Sequence, residues 1–204
     1  MNNTVLASRG GERPRGRPRA FCIDAAMDAG EALFAERGYE AVSVAELCAA
    51  MGIKPPSFYA AFGSKAALFA RVVGRYAEGR GGAVLRDAMR AEPDPRRGVP
   101  AMLAAAADAY AAGSLGCLVM EGARGTDEAA AGEACDAARA ATRAAIRDYV
   151  APATDEPEMA ASLIATALTG LSGAARGGAD RDELRAFAEL AGEGIAARLR
   201  FDKL

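Results

Sequence analysis

The sequence predicts an all-α protein, and three observations predict it. Alanine fills 53 of the 204 positions, and alanine is the strongest helix former and a poor strand former. Apolar residues recur at three- and four-residue spacing along most of the chain, with no alternating run that would signal a strand. Glycine and proline fall between these runs, where helices end and begin. About nine helices are expected, an N-terminal three-helix helix-turn-helix unit followed by a helical bundle.

Each element has a local reason. Residues 1–19 are rich in Gly, Pro and Arg and lack an apolar period, so they read as a flexible basic arm. Phe21 to Arg37 carries Phe21, Ala25, Ala29, Leu33 and Phe34 at helical spacing, and Gly38 stops it. Ser43 to Glu46 has the form of a capping box, opening a short helix that Gly52 ends. Pro55-Pro56 suits the first turn of a third helix, where a missing N–H leaves nothing unpaired. Ser64 caps a fourth with Leu68, Phe69, Val72, Val73 and Tyr76 on one stripe, running or fraying through the glycines at 79, 81 and 82 to about Arg90. Further helices are expected from the Pro93–Pro95 break to Ala112, from Cys117 to Ala123, from a Thr126 cap to Val150, from Thr154–Pro157 to Arg176, and from an Asp180 cap to Arg200. This divides the chain into the arm (1–19), a helix-turn-helix unit (20–64), a connecting helix (65–90) and a bundle (91–204).

Composition removes several function classes. With no histidine, the commonest general base and the usual zinc and haem ligands are missing. The four cysteines, Cys22, Cys48, Cys117 and Cys135, have no Cys-x-x-Cys spacing. Neither a metal site nor a cofactor is expected. The lysines, Lys54, Lys65 and Lys203, suit no buried catalytic role, so the chain is not expected to be an enzyme. The N-terminal stretch lacks the apolar segment of a secretory signal, and no run is long and apolar enough to span a membrane. A cytoplasmic protein with reduced thiols is expected. Charge is uneven: +4 over residues 1–20, −1 over 21–80 and −5 over 81–204, for −2 in total. A basic tip on an acidic body suits a protein that touches a polyanion with one end.

The two short helices around Gly52 form a helix-turn-helix pattern, with Leu47, Ile53 and Phe58 expected to pack against Leu33 and Phe34. Such a unit lays its second helix in the DNA major groove. Residues 32–47 (ALFAERGYEAVSVAEL), 51–53 (MGI) and 57–69 (SFYAAFGSKAALF) resemble the TetR/AcrR family of regulators. The resemblance covers about residues 20–76, a third of the chain. It implies a homodimeric transcriptional regulator that binds a palindromic double-stranded operator through its N-terminal helices. It further implies a small-molecule effector, bound by the C-terminal helices, that releases a repressor from DNA. An activator, or an unliganded DNA-binding protein of the same fold, is the alternative.

The family pattern places Ser43, Tyr59 and Lys65 at backbone-contacting positions. Core packing is the other role open to the Tyr59 ring, and a solvated charge is the other role open to Lys65. Base edges fall to the exposed face of the third helix: Lys54, Pro55, Pro56, Ser57, Ala60 and Ala61. Prolines and alanines make no bidentate hydrogen bonds, so direct readout is thin; the alanines can touch thymine methyls, and Ser57 and Lys54 can donate. Arg15-Gly16-Arg17-Pro18-Arg19 resembles an AT-hook core, suited to a narrow A·T-rich minor groove.

Effector contacts are expected among Met102, Leu103, Tyr110, Leu118, Glu121, Tyr149, Ile164 and Leu168, the larger apolar and Tyr residues of the bundle with one buried-looking acid. They suit an apolar or amphipathic compound. The last two helices are expected to pair with those of a second copy. Cys117 reads either as a small hydrophobe or as an oxidant-sensing thiol.

Overall fold

The computed structural model describes residues 22–113 and 116–199, and among them every regular element is helical. The helices are α1 (Ile23–Arg37), α2 (Val44–Met51), α3 (Pro55–Phe62), α4 (Lys65–Glu78), α5 (Arg80–Ala91), α6 (Pro95–Gly113), α7 (Leu118–Glu121), α8 (Ala129–Val150), α9 (Pro157–Arg176) and α10 (Arg181–Ala196). A 3-10 turn, Ala151–Ala153, follows α8.

The caps follow from the sequence. Ser43 and Glu46 form a reciprocal capping box at the start of α2, and Asp180 and Glu183 form another at α10. The Ser64 hydroxyl accepts from the N–H of Ala67, 3.0 Å away, at the start of α4. Gly52, left-handed at φ 66°, ends α2, and the next N–H, of Ile53, returns to the Cys48 carbonyl at 3.0 Å. That pairing satisfies the last carbonyls of the helix and turns the chain into α3.

Three boundaries depart from expectation. The 65–90 segment is two helices, broken at Gly79, where a Cβ would lie 2.8 Å from the Arg75 carbonyl oxygen. With this break the described residues hold ten α-helices, in keeping with the expected count of about nine. Helix α8 begins at Ala129 because the Thr126 hydroxyl accepts from the N–H of Glu128 (3.0 Å), making a turn before the helix. Helix α10 ends at Ala196, short of Arg200.

Two apolar clusters hold the chain together. One gathers Phe34, Val42, Leu47, Phe58, Leu68, Phe69 and Val72, all fully buried, with Leu33 and Ile53 packed at its edge. Its centre is aromatic: the Phe34 and Phe69 rings meet edge-on at 5.0 Å and the Tyr39 and Phe69 rings at 5.1 Å. Leu118 and Val119 of α7 and Cys135 of α8 complete it. The other joins α6, α9 and α10 through Val99, Met102, Leu103, Ile164, Leu168, Leu171 and Leu184. Helices α6 and α10 approach closely because Gly192 faces Pro100, whose Cα would lie 2.7 Å from an added Cβ.

Candidate DNA interface and effector cavity

Helix α3 is anchored from below and bare above. Phe58 and Phe62 are buried, their rings 5.5 Å apart. Arg71 of α4 reaches back to the Ala61 carbonyl at 3.4 Å and lies over the Phe62 ring, 5.3 Å from its centre. Lys54, Pro55, Pro56, Ser57, Tyr59 and Ala60 are all exposed, and Ala61 is half-buried. Tyr59 keeps 51% of its surface in solvent, with its ring edge-on to Phe58. Core packing therefore does not account for it. The first two residues of α3 have no N–H, and Ser57 and Phe58 both donate to the Lys54 carbonyl, at 2.9 and 3.1 Å. The start of this helix thus offers little to a phosphate.

Ser43 is exposed, but its hydroxyl is committed. It donates to Glu46 Oε2 at 2.6 Å and accepts from the Glu46 N–H at 3.3 Å, while Arg37 holds the other carboxylate oxygen at 2.7 Å. Hydrogen bonds from the Ser43 hydroxyl, its backbone N–H and Arg37 pull the Glu46 carboxyl down to about 2. Lys65 faces inward. Its ammonium donates to the carbonyls of Tyr39 and Val42, each at 3.1 Å, and sits 3.9 Å from the centre of the Tyr39 ring. It pins the α1–α2 turn, a role distinct from the phosphate contact or solvated charge that the sequence suggests. Arg15, Arg17 and Arg19 lie outside the described residues.

A cavity of about 310 Å³ opens between the end of α1 and helices α4 to α7. Its walls are Ala35, Tyr76, Arg80, Gly81, Val84, Leu85, Ala106, Ala109, Tyr110, Gly113, Gly116 and Leu118. Burial first, and the adjacent Cys117 second, raise the Tyr76 and Tyr110 hydroxyls above the ordinary phenol value. Both therefore stay protonated and can donate. Arg80 pairs with Glu31 at one edge and lies 5.7 Å from the centre of the Tyr76 ring.

Of the residues expected to meet an effector, the structure brings Tyr110 and Leu118 to this cavity. Leu168 lines a separate cleft with Arg124, Arg139, Arg143 and Thr142. Met102, Leu103 and Ile164 are fully buried in the α6–α9–α10 core, since they occupy the faces of α6 and α9 that meet each other. Tyr149 donates its hydroxyl to the Glu92 carbonyl at 2.5 Å and bolts α8 to the α5–α6 turn. Glu121 is buried without a hydrogen bond, its nearest cation being Arg124 Nε at 3.5 Å. Sequence reasoning missed Tyr76, Arg80, Val84 and Leu85 because the 65–90 stretch reads as a connector. The signal was the apolar stripe that ends in Tyr76.

The cavity touches the end of α1 through Ala35, and two contacts fasten the same end to the bundle. Arg176 of α9 donates to the Ala35 and Glu36 carbonyls, at 2.7 and 3.4 Å. The Tyr39 N–H donates to the Gly122 carbonyl just after α7, at 2.7 Å.

Comparison with known proteins agrees with this arrangement. Residues 26–72 match the model of the bacterial regulatory proteins of the tetR family. The HTH-type transcriptional repressor BdcR of Escherichia coli is 39% identical over 186 residues, spanning 90% of this chain and 93% of BdcR. The chain belongs to the TetR family. The repressor ComR of the same organism is 48% identical over 65 residues, 32% of this chain and 31% of ComR. Among solved TetR-family structures, a cysteine mutant of the regulator CifR complexed with 26-bp double-strand operator DNA is 37% identical. It covers 86% of this chain and 98% of its own, with a TM-score of 0.79. Membership makes this chain a DNA-binding transcriptional regulator. Among the described residues no helix is long and apolar enough to cross a membrane.

Proposed function

We propose that this TetR-family chain is a cytoplasmic repressor. It binds a palindromic operator as a homodimer and leaves it when a small effector fills the α1–α7 cavity. Residues 20–64 form the DNA-reading head, 65–90 the connection and 91–204 the effector and dimer body. The observation that carries the reading is α3: an anchored helix whose outer face, from Lys54 to Ala60, is exposed. Tyr59, Ser57 and Lys54 face the groove; the Ser43 and Lys65 contacts are secondary, because both groups are engaged within the chain. Arg15, Arg17 and Arg19 add minor-groove and phosphate attraction ahead of α1.

The dimer face is formed by α9 and α10, where Met159, Leu163, Phe187 and Leu190 are exposed. Leu190 keeps 74% of its surface in solvent in the single chain, which suits a self-complementary contact across a two-fold axis. The cavity takes an amphipathic compound, with an apolar body against Val84, Leu85, Ala106 and Leu118 and an acceptor oxygen at the phenols of Tyr76 and Tyr110. Its occupation shifts the Ala35 end of α1, and with it the spacing of the two heads.

Selection of duplexes from random DNA tests the reading. It should recover an inverted repeat whose half-sites lie about one helical turn or more apart. Recovery of no enriched sequence, or of one unpaired site, would defeat it.

A further inference from the structure

We infer that this chain chooses its operator half-site chiefly by the C5-methyl groups of thymine, read by the outer surface of α3. The inference rests on the reading that α3 enters the major groove. Its ground is what the exposed face contains. Pro55 and Tyr59 stand one helical turn apart, as do Pro56 and Ala60, so the four make neighbouring rows of one surface. All four are exposed, with Ser57 and Lys54 beside them.

No carboxamide, carboxylate or guanidinium stands on that face. The bidentate pairs that distinguish guanine and adenine, made by Arg or Lys with guanine and by Asn or Gln with adenine, therefore have no fork-shaped partner here. Lys54 is the sole cation among the six, and it sits at the N-cap, before the helix begins. The helix terminus contributes little, because Pro55 and Pro56 lack N–H groups and the next two donate to Lys54. Beside the single Lys54 ammonium, what remains is carbon surface and two hydroxyls. In the major groove, the feature that meets carbon surface favourably is the methyl of thymine, which no other base carries.

This surface is also held still. Phe58 and Phe62 are buried beneath it, and Arg71 holds the Ala61 carbonyl. Carbon-to-carbon recognition depends on close fit, and a rigid face loses little entropy on contact.

The experiment replaces thymine by deoxyuridine in duplexes selected by the full chain, one position at a time, and measures affinity at fixed salt. Deoxyuridine removes the methyl from the major groove and leaves the pairing and the minor-groove edge unchanged, so any minor-groove contact of the Arg15–Arg19 segment is untouched. Within each half-site, at the thymines under α3, affinity should fall roughly fourfold per methyl, the ratio that about 0.8 kcal/mol gives. The Ala60→Ser chain, checked for folding by circular dichroism, should lose that sensitivity at one base pair and keep it at the others. Undiminished binding to fully substituted duplexes would overturn the inference while leaving DNA binding by α3 intact. Failure of the folded chain to bind any duplex would overturn the DNA-binding reading itself, and this inference with it.

Discussion

Glu46 joins α1 to α2 through one carboxylate: one oxygen takes Arg37 and the other takes the Ser43 hydroxyl and N–H. Those bonds favour the charged form, so the folded-state value, about 2, lies below the ordinary 4.5. The stabilisation is therefore present above the ordinary carboxylate range and is lost as pH falls from about 4.5 towards 2. Glu46→Gln should lower the melting temperature at pH 7, and its difference from wild type should narrow as pH falls through that window; a constant difference would show that the bonds do not discriminate charge. Lys65 carries a second prediction. Lys65→Met leaves the Tyr39 and Val42 carbonyls without their shared donor, which costs about 1–3 kcal/mol for buried acceptors. Thermal unfolding should show that loss without DNA present. An unchanged melting temperature would mean that Lys65 serves DNA alone.

Helix ends, more than helix interiors, decide where the functional surfaces lie. The capping boxes at Ser43 and Asp180 were legible, since a cap is a local pattern of hydroxyl or carboxylate three residues before a Glu. The end of α2 and the start of α3 were legible for the same reason, from Gly52 and Pro55. The break at Gly79 was only half legible. The glycines at 79, 81 and 82 marked a weak stretch, but whether it frays or snaps depends on Tyr76 and Arg86, which pack across it. The cavity between α1 and α4 to α7 follows from that break, so it was legible only in part. A tyrosine on a bundle helix looks the same in sequence whether its hydroxyl meets a ligand or a backbone carbonyl; the Tyr149 hydroxyl meets the Glu92 carbonyl. Gly98 leaves room for the Tyr149 hydroxyl; an added Cβ would lie 1.7 Å from it and 2.9 Å from the Glu92 carbonyl. Gly98→Ala should destabilise the chain by about 1–3 kcal/mol, as overpacking does. Calorimetry on the variant checks it, and Gly98→Ala with Tyr149→Phe should recover part of the loss, because the hydroxyl clash goes while the Glu92 carbonyl stays 2.9 Å away.

Across the whole molecule, the layout is a basic N-terminal segment, a small head and an acidic body, and the charges of +4, −1 and −5 along the chain follow it. Such a layout directs one end towards DNA and keeps the other away. Removing residues 1–19 should flatten the salt dependence of duplex binding by about one unit for each arginine engaged. A slope unchanged by that deletion would assign the attraction to the head alone. The head was the most legible part of the fold, because local signals mark its boundaries: the Ser43 capping box and Gly52 around α2, and Pro55-Pro56 at the start of α3. The joint between head and body was not legible at all. It rests on Leu118, Val119 and Cys135 packing into the head's apolar cluster, and on Arg176 reaching Ala35 and Tyr39 reaching Gly122, across long stretches of sequence that no local pattern connects.

In the proposed complex, two copies of this chain, joined through α9 and α10, set two α3 helices on one stretch of duplex. Sedimentation of the chain with a selected duplex at fixed salt is the deciding measurement. A complex of two chains per inverted repeat is the predicted mass, falling to uncomplexed chain and duplex when Leu190 and Phe187 are both replaced by Glu. A single chain bound per duplex, or a pair that survives those replacements unchanged, would contradict it.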